Sequence, residues 1–322
     1  CIVCIDTGRM QLDEPAVVYS YSDLKSRINF GLGFFYLATS LLPASLRPIV
    51  RLAGFVMDKQ AGKSYLGETV ERDLGPRSTL AAIMLSMYHL DLEPDMARAG
   101  NLLVASLSRM PENVLLHWAG SLLAWRNTCI TQAVEMTEKA LWCCGEELGS
   151  EAVFLRYELG MLHFICLDWR NARHHFTHVH ETVRSKQVLF PYKTLISVQL
   201  AAAAFSLGYE EEGEALCHDL HTTQDWSGGS MMKLENDFAN IAQTFVKHRP
   251  AGRKLFAFET LYLLRQFPKI SPTVLLEVQA QLRRAAQPHH ERLAQLRAAA
   301  EKDGRPSAAS KRGSSSASPE ET

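Results

Sequence analysis

The feature that most constrains this chain is the spacing of small and large residues in the stretch Arg156–Val179. Gly160 and Ala172 are 12 positions apart, and Phe176 follows Ala172 after 4 positions. Small residues on two successive helices let their backbones approach, and an aromatic side chain fills the space beside them. The intervening sequence DWRN ends the first apolar run and can start a second helix. The stretch therefore predicts a helical hairpin, with Leu159 and Gly160 on its first helix.

Small residues recur along the chain at the period of a tetratricopeptide repeat, a helix–turn–helix unit of about 34 residues. Ala99 and Ala133 are 34 positions apart, whereas Ala133 and Ala172 are 39 apart, and Ala172 and Ala215 are 43 apart. The longer intervals predict an insertion over Cys143–Ser150 and a looser last unit. We predict an all-α fold, a TPR-like right-handed superhelix of helical hairpins. The residues predicted to pack the hairpins are Ala99, Leu103, Pro111, Gly120, Ala133, Ala140, Leu159, Gly160, Ala172, Phe176, Gly208 and Ala215.

Proline, glycine and polar residues divide the chain into further helices, and no stretch alternates with period two as a strand would. We expect an irregular arm over residues 1–27, a repeat domain over 28–268 and a C-terminal helix over 269–302 that is interrupted at Pro288. Residues 303–322 carry no large apolar side chain, which predicts a disordered tail. The helices predicted within this scheme are Lys59–Arg72, Ser78–Leu92, Met96–Arg109, Asn113–Trp125, Thr131–Trp142, Tyr192–Leu207, Glu210–His221, Met231–His248, Lys254–Gln266 and Val274–Lys302.

The segment Ile28–Leu46 carries no charged residue. A membrane span needs about 20 predominantly apolar residues. This segment contains polar residues, and Pro43 ends its helical part near Leu42. The pattern favours a buried helix, with a membrane-inserted segment as the alternative. Its glycines, Gly31 and Gly33, are expected to permit close contact with another helix.

The first helix of each hairpin lines the inner face of a repeat stack. Two readings of this face stay open, because large apolar patches rarely remain exposed. Either the chain fills the groove itself with the helix Ile28–Leu42, or the groove accepts a partner's helix or a lipid chain. The residues predicted to form the face, and so to bind a partner, are Met84, Tyr88, Trp118, Leu122, Trp125, Tyr157, Met161 and Phe164.

The composition argues against several other classes of protein. A net charge of −1 provides no field to attract nucleic acid. The seven cysteines show no pairing pattern, which favours a reducing compartment. His174 and His178 are one helical turn apart, but no carboxylate or Cys lies at ligand spacing on that face, which predicts a solvated face rather than a metal site. Because no catalytic constellation is found, we predict a protein that is not an enzyme and has no metal or cofactor site.

Two parts of the chain are more specific than the repeat pattern. The first comprises Gly31–Leu37, Ser40–Pro43, Leu52–Phe55, Asp58, Gly62 and Leu66, and the second is a late helix with Glu259 and Tyr262 in an E-x-x-Y arrangement. Over Ile28–Phe267 the chain resembles the tetratricopeptide repeat protein 39 family, which includes the fungal inclusion-body-clearance proteins. The resemblance implies a helical adaptor or scaffold without catalytic residues, which binds unidentified protein partners in protein or lipid homeostasis.

The resemblance also implies a cytoplasmic location, with the mitochondrial outer membrane, the nucleus and lipid droplets as variations among members. The alternative function is a membrane- or lipid-droplet-associated helical protein, which uses Ile28–Leu46 as an anchor or an apolar cavity for lipid. Because the chain begins with Cys1 rather than Met, we expect that it is a piece of a longer protein.

Overall fold

A computed structural model of the chain describes residues 21–54, 57–72, 75–145, 149–185, 190, 192–222, 230–247, 253 and 255–302. Within these residues every regular element is helical, so the predicted all-α fold of helical hairpins is confirmed. Most of the predicted arm and the whole predicted tail lie outside the described residues. The α-helices are α1 Tyr21–Ser40, α2 Arg47–Leu52, α3 Lys59–Arg72, α4 Pro76–Asp91, α5 Met96–Arg109, α6 Val114–Arg126, α7 Ile130–Cys144, α8 Gly149–Ile165, α9 Trp169–Ser185, α10 Lys193–Leu207, α11 Glu210–Thr222, α12 Ser230–Val246, α13 Phe256–Leu263 and α14 Pro272–Lys302.

Helix starts are fixed where the sequence supplies a capping side chain. Asp95 precedes α5, and its carboxylate accepts a hydrogen bond from the backbone N–H of Arg98 at 2.9 Å. Asn113 caps α6 in the same way, through the N–H of Leu116 at 3.1 Å. Asp168, in the polar sequence predicted to start a helix, accepts from the N–H of Asn171. These caps satisfy backbone donors that the first helical turn leaves unpaired.

The helices fall into two compact units, Cys1–Gly145 and Glu146–Thr322. The predicted repeat domain 28–268 is thus divided. In the first unit the hairpins α1/α3, α4/α5 and α6/α7 follow one another, and each first helix also packs on the first helix of the next hairpin. This nearest-neighbour packing is typical of helical-repeat proteins.

The helix α1 belongs to the first hairpin and begins before the predicted boundary. Residues 21–27, which were expected to be irregular, are helical because ion pairs hold them. Asp23 binds the guanidinium of Arg77 on α4, at 2.5 Å, and Lys25 pairs with Glu68 on α3 at 2.8 Å. Leu37 of α1 is part of the buried core of this unit. Its other buried members are Leu66, Val70, Ala81, Ala82, Leu85, Tyr88, Leu103, Leu116 and Ala119.

The expected close helix contact is made by Gly33 and not by Gly31. A Cβ on Gly33 would lie 2.9 Å from the backbone nitrogen of Leu66, whereas one on Gly31 would have no atom within 4 Å. The helix Ile28–Leu42, which was expected to fill the groove, is part of α1. It is the first helix of the first hairpin and packs against α3 and α4. No helix of the described residues is long and apolar enough to cross a membrane.

The second unit is built around α10, whose side chains from Leu195 to Phe205 are nearly all buried. Helices α9, α11, α12 and α13 pack against α10, and α8 packs on α9. The last helix, α14, was predicted to be interrupted at Pro288 but runs through it. Arg284, four positions before Pro288, is exposed, so water can satisfy the carbonyl group that proline leaves without a donor.

Candidate functional site

The glycine of each central hairpin lies under a large side chain of the second helix. In the second unit a Cβ on Gly160 would lie 2.6 Å from the ring of Phe176, which is fully buried. In the first unit a Cβ on Gly120 would collide with the side chain of Met136. Gly120 and Met136 are 16 positions apart, as are Gly160 and Phe176. Met136 thus occupies the position of the repeat aromatic, which the sequence alone did not reveal.

The predicted packing residues fall into three groups: residues buried inside the hairpins, residues at exposed turns, and Ala215, which is exposed on α11. Most of them are buried inside the hairpins, whereas Pro111 and Gly208 lie at exposed turns. Gly208 ends α10 with a φ of 86°, a left-handed conformation that glycine adopts without strain. Those that are buried are Ala99, Leu103, Gly120, Ala133, Ala140, Leu159, Gly160, Ala172 and Phe176.

The assignment of Ala215 to the small position of α11 was wrong. Ala215 is exposed, and the inward side of α11 carries Gly213, Cys217 and Leu220. A Cβ on Gly213 would collide with the ring of Phe205, so this glycine lets α11 approach α10. Counting from the preceding repeat misplaced the residue because a register error of two positions turns a helix by more than half a circle.

In the first unit the predicted inner face remains partly open. Met84 on α4 and Trp118, Leu122 and Trp125 on α6 are each partly exposed. The spacing of 4 and 3 positions along α6 places its three side chains on one side of the helix. Because α4 packs beside α6, the two rows lie next to each other.

The open face continues into a groove of about 730 Å³ at the start of the two helices. Leu80 precedes Met84 by one turn, and Leu115 precedes Trp118 by three positions, so both extend the same rows. Leu80 is 42% exposed and Leu115 is 45% exposed. Neither leucine was predicted to belong to the face, although their helical spacing could have indicated it. The residues that line the groove are Gly75, Pro76, Thr79, Leu80, Met110, Pro111, Glu112, Asn113, Val114 and Leu115.

We call the surface formed by Leu80, Met84, Leu115, Trp118, Leu122 and Trp125 the α4–α6 face. Polar contacts hold both of its ends. Asn113 donates a hydrogen bond to the hydroxyl of Thr79 at 3.1 Å, which joins the α5–α6 turn to α4. At the other end Arg126 of α6 pairs with Asp91 of α4 at 2.7 Å.

Tyr88 does not belong to this face, because it is only 3% exposed. The ammonium groups of Lys59 and Lys63 lie 5.9 and 5.4 Å from the centre of its ring. Both lysines bind Glu93, at 2.7 and 2.9 Å, and together with Tyr88 they lower the pKa of this carboxyl to about 2. Tyr88 is thus part of a network that joins α3 to the α4–α5 turn.

In the second unit two of the three predicted face residues are also buried. Phe164 has no exposed surface, and Tyr157 is 5% exposed. The ring of Tyr157 packs against Phe190 and Tyr192, with centroids 5.4 and 5.7 Å away. Phe190 and Tyr192 thus cover this part of the second unit. Met161 keeps some exposed surface.

In the second unit, burial shifts the pKa values of a carboxyl and an imidazole on α8 and α9. Burial raises the pKa of Glu158 on α8 to about 7, and no ion pair to this carboxyl is seen among the described residues. Burial lowers the pKa of His175 to about 4, and the charge of the neighbouring His163 contributes in the same direction. The rings of His163 and His175 stack with centroids 5.5 Å apart.

The histidines of α9 do not assemble a metal site in the part of the chain that the structure describes. His174 and His178 are exposed, and His175 faces His163. No group of three or more His, Cys, Asp or Glu side chains suited to a metal ion is found among the described residues.

The stacked hairpins and the N-terminal motif agree with a comparison of the whole sequence with known families. The sequence model of Iml2/Tetratricopeptide repeat protein 39 matches residues 8–304. The chain belongs to this family. The predicted resemblance is thereby confirmed, and the matched residues include every described helix. Membership in a helical-repeat family is compatible with a scaffold that binds other proteins, and such repeat families are generally not catalytic.

Proposed function

We propose that this member of the Iml2/Tetratricopeptide repeat protein 39 family is a non-enzymatic adaptor that binds a partner protein on the α4–α6 face. The observation that supports the proposal is the pair of apolar rows on α4 and α6, which stay partly exposed and end in an open groove. In protein interfaces a few side chains, with Trp prominent among them, contribute most of the binding energy, and Trp118 and Trp125 both lie on this face.

The partner's binding element is an amphipathic helix. The row from Leu115 to Trp125 spans ten positions on α6, or about 15 Å at 1.5 Å per residue. This length matches three turns of a partner helix, whose apolar residues at i, i+3, i+4 and i+7 would lie between the two rows. Leu80 and Leu115 are the most exposed of the apolar residues at the groove, so they offer the most surface for burial.

The test is a capture experiment with the double variant Leu80→Glu/Leu115→Glu. Both side chains are exposed, so the fold should be retained, whereas a carboxylate facing the partner's apolar helix would be buried without a counter-ion. The control is Leu92→Glu/Val104→Glu, which changes two exposed apolar residues outside the face. Proteins captured from cell extract by the tagged chain are quantified by mass spectrometry, and a photo-cross-linker at position 115 identifies the bound segment.

We expect the variant to lose a protein that the control retains, and the cross-linked segment to be helical. A capture profile that is the same for the variant, the control and the unaltered chain would contradict the proposal. The cross-link distinguishes direct binding on this face from capture elsewhere on the chain.

We also propose that the adaptor acts in protein or lipid homeostasis. We place it in the cytoplasm, with the mitochondrial outer membrane or the nucleus as further locations. The support is the resemblance of the N-terminal motif to the family that includes inclusion-body-clearance proteins. Live imaging of the tagged chain tests its location. Clearance of an aggregation-prone reporter in cells that carry Leu80→Glu/Leu115→Glu instead of the unaltered chain tests its role.

A further inference from the structure

Among the described residues of the first unit, the stretch 41–54 that follows α1 is the most exposed apolar part. Over residues 41–54, which include α2, no residue is buried. Leu52 is 92% exposed and Ile49 is 63% exposed, while Leu41 and Leu46 are 47% and 44% exposed. At this exposure the side chain of Leu52 makes very little contact with the rest of its own chain. Apolar side chains in such numbers at one place usually mark an interaction surface.

The charges of this region all have one sign. No Asp or Glu lies between Asp23 and Asp58, whereas Arg47 and Arg51 alternate with the exposed apolar residues. Both arginines are exposed. Nε of Arg47 donates to the carbonyl oxygen of Leu42, and no ion pair of Arg51 is seen among the described residues. Positive charge without a protein counter-ion next to protruding leucines complements an anionic lipid surface.

The backbone holds these side chains outward. Pro43 follows the end of α1 at Ser40, and Pro48 lies in the first turn of α2, which is only six residues long. Before residues 41–54, α1 is fixed to α3 by the Gly33 contact. At the start of α3, the carboxylate of Asp58 accepts a hydrogen bond from the N–H of Ala61. The segment is therefore short, and its apolar side chains stay exposed next to helices that are fixed in place.

We propose that residues 41–54 are an interfacial membrane anchor, in which Leu46, Ile49 and Leu52 enter an anionic lipid surface and Arg47 and Arg51 bind its head groups. The insertion is shallow, as for other amphipathic anchors. It does not need a spanning helix. The anchor is separate from the α4–α6 face and goes beyond the adaptor function.

The test is co-sedimentation of the full chain with lipid vesicles. One set of vesicles is phosphatidylcholine alone, and the other contains about a third phosphatidylserine. We expect binding to the anionic vesicles that weakens as salt is added, because salt screens the arginines. The variant Ile49→Ser/Leu52→Ser should bind at least about tenfold more weakly, since it loses the burial of two large apolar side chains. The matched control is Leu92→Ser/Val104→Ser, which should bind like the unaltered chain.

The contribution of charge is tested with Arg51→Gln, which should weaken binding by about fivefold. Arg170→Gln removes one charge from an exposed position on α9 and should have little effect. The side chains replaced in these vesicle-binding variants are all exposed, so the variants should unfold much like the unaltered chain, which urea unfolding checks. Leu80→Glu/Leu115→Glu should keep vesicle binding, which separates the anchor from the adaptor function.

Two results would overturn the proposal. One is the absence of binding to either kind of vesicle. The other is binding that Ile49→Ser/Leu52→Ser leaves unchanged. If the same variant instead abolishes self-association in sedimentation velocity and no vesicle binding is found, the occupant of the segment is a second copy of the chain and not a membrane.

Discussion

Gly33 and Gly62 face each other where α1 crosses α3. A Cβ on Gly62 would lie 2.8 Å from the backbone nitrogen of Leu37 and 3.2 Å from the carbonyl oxygen of Gly33. These neighbours are backbone atoms, which cannot rotate away as the end of a side chain can. The crossing therefore sets the distance between the two helices and, through it, the position of Leu37 in the core of the first unit.

Replacement of Gly62 by Ala should destabilise the first unit by about 1 to 3 kcal/mol, because the added methyl group forces the two helices apart. Gly33→Ala should act in the same direction. The matched controls are Gly31→Ala and Gly67→Ala, which place the methyl group where no atom lies within 4 Å. The controls should stabilise the protein by up to about 1 kcal/mol, because alanine favours the helix more than glycine does. Urea unfolding measures all four, and a Gly62→Ala midpoint as high as that of Gly67→Ala would contradict the prediction.

In the second unit the corresponding contact is between a glycine and a ring. Gly160→Ala should cost about 1 to 3 kcal/mol, since Phe176 is fully buried and must shift to admit the methyl group. Phe176→Leu removes part of the obstruction, so the double variant should be more stable than the sum of the two single changes indicates. Gly100→Ala is the control, because its methyl group would make an ordinary contact of 3.6 Å with Leu123. Strict additivity of Gly160→Ala and Phe176→Leu in urea unfolding would show that the two residues are not coupled.

Glu158 should make the protein less stable as the pH rises. Its pKa is raised from 4.5 to about 7 by burial, so between these values the folded state holds a proton that the unfolded state has lost. The free energy of unfolding should therefore fall by about 2 to 3 kcal/mol from pH 4.5 to above pH 7. Glu158→Gln should remove this loss and be the more stable protein at pH 8. Urea unfolding at pH 5 and pH 8 tests this, with the exposed Glu138→Gln as control; equal pH dependence of the three proteins would refute it.

The sequence predicted the helices well where capping residues and prolines mark their ends. The helices Lys59–Arg72 and Met96–Arg109 have the predicted bounds, and Asp95 caps the second of them. The first hairpin was not recognised, because its small residues Gly33 and Gly62 are 29 positions apart, whereas Gly160 and Ala172 are 12 apart. Its two helices are also separated by α2 and an exposed connection, which hides the repeat period.

The candidate site was predicted only in part. Periodicity placed Trp118 and Trp125 on one side of α6, and the structure leaves them partly exposed. The same argument placed Tyr157 and Phe164 on one side of α8, but Tyr157 is covered by Phe190 and Tyr192. Helical spacing specifies which side chains share a face. It does not specify which face a later part of the chain will cover, because that depends on contacts between residues distant in sequence.

His175 should act on stability in the direction opposite to Glu158. Burial and the nearby His163, His174, Arg156 and His178 lower its pKa from 6.5 to about 4, so the unfolded state binds a proton in this range while the folded state does not. The contribution of His175 is thus present above pH 6.5 and is lost as the pH falls towards 4. Because the side chain is partly exposed, the loss should be about 1 to 2 kcal/mol.

His175→Gln should remove this acid-dependent loss, whereas His174→Gln should not, because His174 is exposed. The effects of Glu158 and His175 partly cancel over the same pH range, so each is measured as the difference between a variant and the unaltered protein. Urea unfolding at pH 4.5 and pH 7 supplies that difference. If His174→Gln changes the pH dependence as much as His175→Gln does, burial is not the cause of the acid sensitivity, and the charge of the whole histidine group is.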